Sequence, residues 1–142
     1  VESFRGNVDD DFKMGIVVTP KSIGLMSGFE RAHIIVASPL GLRRAISAEE
    51  EKGELSTRDC LSSVEVVVVD YAGQMLHQNI EHLQYVMQTL NHIPSKPHGI
   101  DFSRVRHFNL QGKAAALRQT ILLADRTEPS LNAIFRTHAK SI

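Results

Sequence analysis

The apolar positions of this chain fall into short β-branched runs separated by stretches of helical spacing. The densest run is Val64-Glu65-Val66-Val67-Val68-Val69-Asp70. It carries no polar alternation through Val66–Val69, which predicts a strand covered on both faces, as in a parallel sheet. Ile16-Val17-Val18 within Gly15–Thr19 and Ile34-Ile35-Val36-Ala37 within His33–Ser38 predict two more buried strands. Ile121-Leu122-Leu123 within Thr120–Ala124 predicts a fourth. Ser22–Phe29 alternates weakly through Ile23 and Leu25, so it reads as a hairpin arm or an irregular loop.

Helices fill the gaps. Pro39 follows the second run at once, and a first-turn proline forfeits no intrahelical bond, so a helix opens there with Leu42, Ala45 and Ile46 on one face. Ile80, Leu83, Val86, Met87 and Leu90 form one stripe, which predicts a helix over 79–91 with Asn79 as its N-cap and Pro94 as its stop. Asp101 is placed to cap a helix carrying Phe102, Val105, Phe108 and Leu110. Thr127, with Pro129 two residues on, predicts the start of a last helix that buries Leu131, Ile134 and Phe135. Strands alternating with helices give an α/β fold with a mostly parallel sheet and helices on both faces. The run Glu49-Glu50-Glu51-Lys52-Gly53 reads as a solvated helix end and loop.

Composition narrows the function classes. The 142 residues give room for one domain and one core. Lys plus Arg equals Asp plus Glu, so any nucleic-acid surface must be a local patch. Cys60 is the only cysteine, which excludes an internal disulfide and fits a reducing compartment. No apolar run approaches the roughly 20 residues of a membrane helix, and no signal peptide opens the chain. The chain starts at Val1, and residues 1–11 hold few core-forming side chains. They read as an extended or loop segment, and the whole as an excerpt of a longer protein; a trimmed short chain would look similar.

Candidate chemistry sits at strand ends, where open parallel sheets gather ligands. Three stand out: Ser38-Pro39, Asp70-Tyr71-Ala72-Gly73 and Ala124-Asp125-Arg126. An aspartate closing a buried strand can hold magnesium beside a triphosphate, or it can cap the next turn. No G-x-x-x-x-G-K-[ST] occurs, so the backbone cradle and lysine that hold phosphates are absent from these residues. Tyr71 cannot orient an attacking water as a glutamate would. The seven histidines form no H-E-x-x-H and no cysteine–histidine set, so no metal site is expected. Arg43, Arg44, Arg104 and Arg106, with Lys113 and Arg118, could meet a phosphate backbone, balance the acidic run or pair with partner carboxylates.

Several blocks in order resemble the U3 small nucleolar RNA-associated protein 25 family, also called digestive organ expansion factor. They are Ile34–Arg43, Leu61–Glu65 leading to Val69-Asp70, and Asp101–Arg106. Phe12–Gly15, Lys21-Ser22-Ile23, Gln78-Asn79 with Glu81-His82, His98-Gly99, Arg118-Gln119-Thr120 and Leu131-Asn132-Ala133 extend the match over nearly the whole chain. That family is similar to DEAD-box helicases with degenerate motifs. The resemblance implies that residues 1–142 are part of a first RecA-like domain. It puts Ser38-Pro39 where a Thr-Pro-Gly-Arg element holds RNA phosphates, with Leu40 for its glycine and Gly41 for its arginine. It puts Asp70-Tyr71-Ala72-Gly73 in place of Asp-Glu-Ala-Asp, and Ala124-Asp125-Arg126 in place of Ser-Ala-Thr. It further implies a nucleolar component of the small-subunit processome, acting in early pre-rRNA processing and 18S rRNA maturation. Processome proteins would be its partners, with U3 small nucleolar RNA and pre-rRNA nearby.

The combined expectation is a structural and interaction module without catalysis, cofactor, small-molecule substrate or membrane partner. Its contact residues would be Ser38, Pro39, Arg43, Arg44, Arg104 and Arg106. The alternative is an RNA-dependent ATPase whose phosphate-binding loop lies outside the chain.

Overall fold

The computed structural model describes residues 10–50, 57–78, 80–94, 103 and 105–140. The expected caps Asn79 and Asp101, the loop at 95–99, and Arg104 lie outside the described residues. The chain divides into two compact units, residues 1–57 and 58–142.

The first unit is a three-stranded sheet followed by a helix. Strand β1 (Lys13–Val18) lies between β2 (Ile23–Ser27) and β3 (Ile34–Ala37), antiparallel to both. This corrects the expectation of a mostly parallel sheet for these strands. For β1 and β2 the reason is connection length. A parallel pairing needs a crossover of about a dozen residues or more. Here β1 and β2 are joined by a turn in which the Thr19 hydroxyl accepts the Ser22 amide at 3.0 Å and Thr19 N donates to Ser22 O at 2.9 Å. Residues 28–33, folded around a 3-10 turn at Phe29–Arg31, carry the chain from β2 to the other edge of β1, where β3 runs in the same direction as β2. Helix α1 (Pro39–Glu50) begins at the expected proline and buries Leu42, Ala45 and Ile46.

The second unit holds the parallel pair. A short helical turn, α2 (Thr57–Cys60), runs on into a 3-10 turn at Leu61–Ser63. Strands β4 (Val66–Val69) and β5 (Gln119–Leu122) are in parallel register, Val69 opposite Leu122. Between them come α3 (Ala72–Gln78), α4 (Ile80–Thr89), and single turns α5 (His107–Leu110) and α6 (Ala114–Leu117). Helix α7 (Pro129–His138) closes the unit and packs on α3 and α4. Leu61, Val69, Leu83, Val86, Met87, Leu90, Leu131 and Ile134 are buried in its core. Phe135, expected on the buried face of α7, is exposed. The strand expected to be covered on both faces is covered on one only: Val69 is buried, whereas Val66 and Val68 are exposed. Thr127 is not the N-cap of α7. Pro129 takes the first helical position, so Glu128 precedes it as N-cap, with no side-chain bond to the helix.

Helix α4 ends before Pro94, at an asparagine. Asn91 has φ 60, the left-handed conformation that terminates helices. Its amide nitrogen donates to Ser62 O at 3.1 Å and Val64 O at 2.8 Å. Its side-chain oxygen accepts from Arg118 Nη1 at 2.9 Å. Arg118 is only 2% exposed, and its Nη2 donates to His138 O at 2.8 Å, at the end of α7. One asparagine and one arginine thus tie the end of α4, the entry to β4, the start of β5 and the end of α7.

Burial, then the neighbouring Arg118 and Lys140 charges, lower the His138 pKa. A depressed histidine pKa means that the folded state holds fewer protons than the unfolded chain, so stability is lost as pH falls through the unfolded value of about 6.5 toward the folded one. Thermal melts from pH 7.5 to 5.5 should show a falling midpoint, and His138→Gln should flatten that fall. An equal slope in both proteins would assign the acid sensitivity elsewhere.

Candidate functional site

The carboxyl ends of β4 and β5 bring two of the three sequence-predicted segments together. Leu123 N donates to Val69 O at 2.8 Å, continuing the ladder past β5. Ala72 N donates to Leu123 O at 2.9 Å, which pins the first residue of α3 to the segment after β5. Asp70-Tyr71-Gly73 and Ala124-Asp125-Arg126 therefore face one another across a cleft of about 460 Å³, with Gln74, His77 and Glu128 also on its walls.

The local chemistry is specific. Asp70 Oδ1 accepts the amide of Tyr71 at 2.9 Å, so one of its oxygens fixes the turn out of β4. Tyr71 has φ 52, a conformation costing a tyrosine roughly 1–2 kcal/mol, and its ring is exposed. Tyr71 O accepts from Gln74 N at 2.9 Å, so Tyr71, not Asp70, supplies the first carbonyl of α3. Gly73 makes room for the opposite wall: a β-carbon there would lie 2.7 Å from Asp125 Oδ1. Asp125 Oδ2 lies 3.7 Å from Arg126 Nε, both side chains well exposed. Among the described residues, no three His, Cys, Asp or Glu side chains come together to hold a metal ion.

The third segment, Ser38-Pro39, is a helix cap in the first unit. Ser38 Oγ accepts the Gly41 amide at 3.0 Å, the bond of an N-cap serine to the third helical residue. The same oxygen accepts Phe12 N at 3.1 Å and donates to Asp10 O, while Ser38 N donates to Phe12 O at 2.8 Å. Serine and the start of α1 are thus engaged with residues 10–12.

The arginines singled out from sequence do not form one cluster within a unit. Arg43 and Arg44 lie on α1; Arg44 Nη1 meets Asp11 Oδ2 at 3.1 Å and holds that carboxyl below its usual range. Arg106 belongs to the second unit, where it pairs with Glu65 at 2.7 Å and lies 5.9 Å from the Phe108 ring centroid. Sequence reading missed the burial of Arg118 and the part played by Asn91. An asparagine at the end of an apolar stripe is the signal that could have flagged the latter.

These features define a mixed α/β protein with a polar cleft at the carboxyl ends of two paired parallel strands. Over residues 1–142 the sequence matches the family described as "UTP25, NTP hydrolase-like domain". The chain belongs to that family. It is 44% identical over 99% of its length to U3 small nucleolar RNA-associated protein 25 of Arthroderma benhamiae. It is 46% identical over 95% to the homolog of that protein in Xenopus tropicalis, and 46% identical over 93% to that of Schizosaccharomyces japonicus. These matches take in 19%, 17% and 20% of the relatives, so the chain spans about a fifth of their length. No solved structure matches.

Proposed function

We propose that these residues form part of a first RecA-like domain that has kept a helicase scaffold and lost its catalysis. On this reading the domain serves as an interaction module of the small-subunit processome, in early pre-rRNA processing and 18S rRNA maturation. The relatives' name, with its reference to U3 small nucleolar RNA, supports a nucleolar setting, with processome proteins as partners and U3 RNA and pre-rRNA nearby. The observation that carries the reading is the cleft at the ends of β4 and β5. Its walls carry Tyr71 where a hydrolase would carry a water-orienting glutamate, and Arg126 is their one lysine or arginine. Three carboxylates, Asp70, Asp125 and Glu128, share those walls. Coulomb repulsion from them disfavours a triphosphate without a cation or a phosphate loop to offset it.

A second reading has an observation of its own: the family description contains the words NTP hydrolase-like. Under it, a phosphate loop outside these residues completes the cleft and RNA stimulates ATP turnover. Full-length family protein, assayed for ATP binding and hydrolysis with and without RNA, separates the two. The scaffold reading expects no RNA-stimulated turnover, and Asp70→Asn should leave pre-rRNA processing in cells within about twofold of wild type. Turnover at a helicase-like rate, abolished by Asp70→Asn, would establish the enzyme instead.

A further inference from the structure

The sheet of the first unit is apolar on one face throughout and on the other apart from Lys13. In the β1–β2 register Ile16 lies opposite Leu25 and Val18 opposite Ile23; in the β1–β3 register Ile16 lies opposite Ile34. Directly opposed residues point to the same side, and so do residues two apart on a strand. Ile16, Val18, Ile23, Leu25, Ile34 and Val36 therefore share one face. All but Ile16, which is half-buried, are exposed, Ile23 at 68% and Leu25 at 62%. The opposite face carries Gly15, Val17, Ile35 and Ala37, buried or half-buried, and the exposed Lys13 at its edge. An antiparallel sheet with one solvated face should alternate apolar with polar residues. This one does not, and a contiguous exposed apolar face of this kind points to a binding surface.

We infer that this face is the seat of an apolar segment from the same polypeptide, outside residues 1–142, in the full-length members of the family. Two observations choose that occupant. Roughly four fifths of each matched relative lies beyond the matched region, so ample polypeptide is present at high effective concentration. The face also lacks charge: its seven positions, Met14 opposite Val36 included, are all apolar, which fits a strand or helix side of a domain core and gives nothing to pair with an RNA backbone or a charged rim. The inference stands independently of what the strand-end cleft binds.

The test uses a purified full-length family member with the photoreactive amino acid p-benzoylphenylalanine at the position matching Leu25, mixed as light and heavy isotopic forms before irradiation. The expected product is an adduct within one polypeptide, to an apolar stretch outside the matched region, with no mixed-isotope species and no change on tenfold dilution. Mixed-isotope adducts, adducts confined to the matched region, or recovery of the probe without a peptide adduct would each overturn the inference. A second variant, Ile23→Lys with Leu25→Lys, should speed limited proteolysis of the full-length protein at least tenfold. An unchanged rate would also count against it.

Discussion

Replacing Asn91 by alanine should remove about 3–5 kcal/mol of stability, a large share of the roughly 5–15 kcal/mol that holds a domain folded. Three costs act together. The Ser62 and Val64 carbonyls lose their donor. Arg118, 2% exposed, loses the acceptor at 2.9 Å that satisfies Nη1, and among the described residues no carboxylate lies within ion-pair distance to replace it. A buried donor left unsatisfied costs about 1–3 kcal/mol, more when charged. Alanine at φ 60 adds roughly 1–2 kcal/mol of backbone strain that asparagine tolerates better. Asn91→Gly should therefore cost less than Asn91→Ala by about that last amount. Arg118→Met in the Asn91→Ala background should recover part of the loss, because it removes the buried charge. Denaturant melts of the four proteins give the ranking. Equal losses for Gly and Ala would remove the strain contribution, and no recovery with Met would show that Arg118 finds another partner.

That cluster marks where the sequence stopped being legible. The runs Ile34–Ala37 and Val66–Val69, the stripe Ile80–Leu90 and the helix starts at Pro39 and Pro129 are one-dimensional signals, and each became a strand or helix, but Ile34 and Val36, expected to be buried, are exposed, as are Val66 and Val68. The meeting of Asp70–Gly73 with Ala124–Arg126 was legible too, because strands carried forward by a crossover of helices end at the same edge. What one-dimensional signals do not carry is pairing partner and direction. Nothing in Ile16-Val17-Val18 says that it pairs with Ile34–Ala37 antiparallel; the short turn at residues 19–22 sets the direction of β2 alone, and β3 reaches the other edge of β1 through residues 28–33. Nor does charge reveal burial. Arg118 reads like Arg106 in the sequence, yet one is enclosed and the other pairs on the surface with Glu65. The exposed valines of β4 show the same limit, since a run can predict a covered strand without supplying the cover.

Gly41→Ala should destabilise the protein by about 2 kcal/mol, reversing the sign that helix propensity gives. At an ordinary helix position alanine is favoured over glycine by about 1 kcal/mol. Here a β-carbon would lie 2.5 Å from Phe12 O and 2.9 Å from Phe12 N and Ser38 Oγ. Two of these atoms are backbone, and moving them breaks the Phe12–Ser38 bonds that bring the chain into β1. Gly73→Ala is the control. Its β-carbon would meet only the end of the Asp125 side chain, which can rotate away, so that change should cost less than about 0.5 kcal/mol while opening the cleft wall. The contrast bears on function. Under the proposed helicase-like reading an arginine would stand here toward RNA; this chain needs a residue with no side chain, because the residue that leads into β1, Phe12, occupies that space. If Gly41→Ala proves neutral or stabilising while Gly73→Ala does not, the contact at Phe12 yields easily, and the start of α1 becomes available to a phosphate after all.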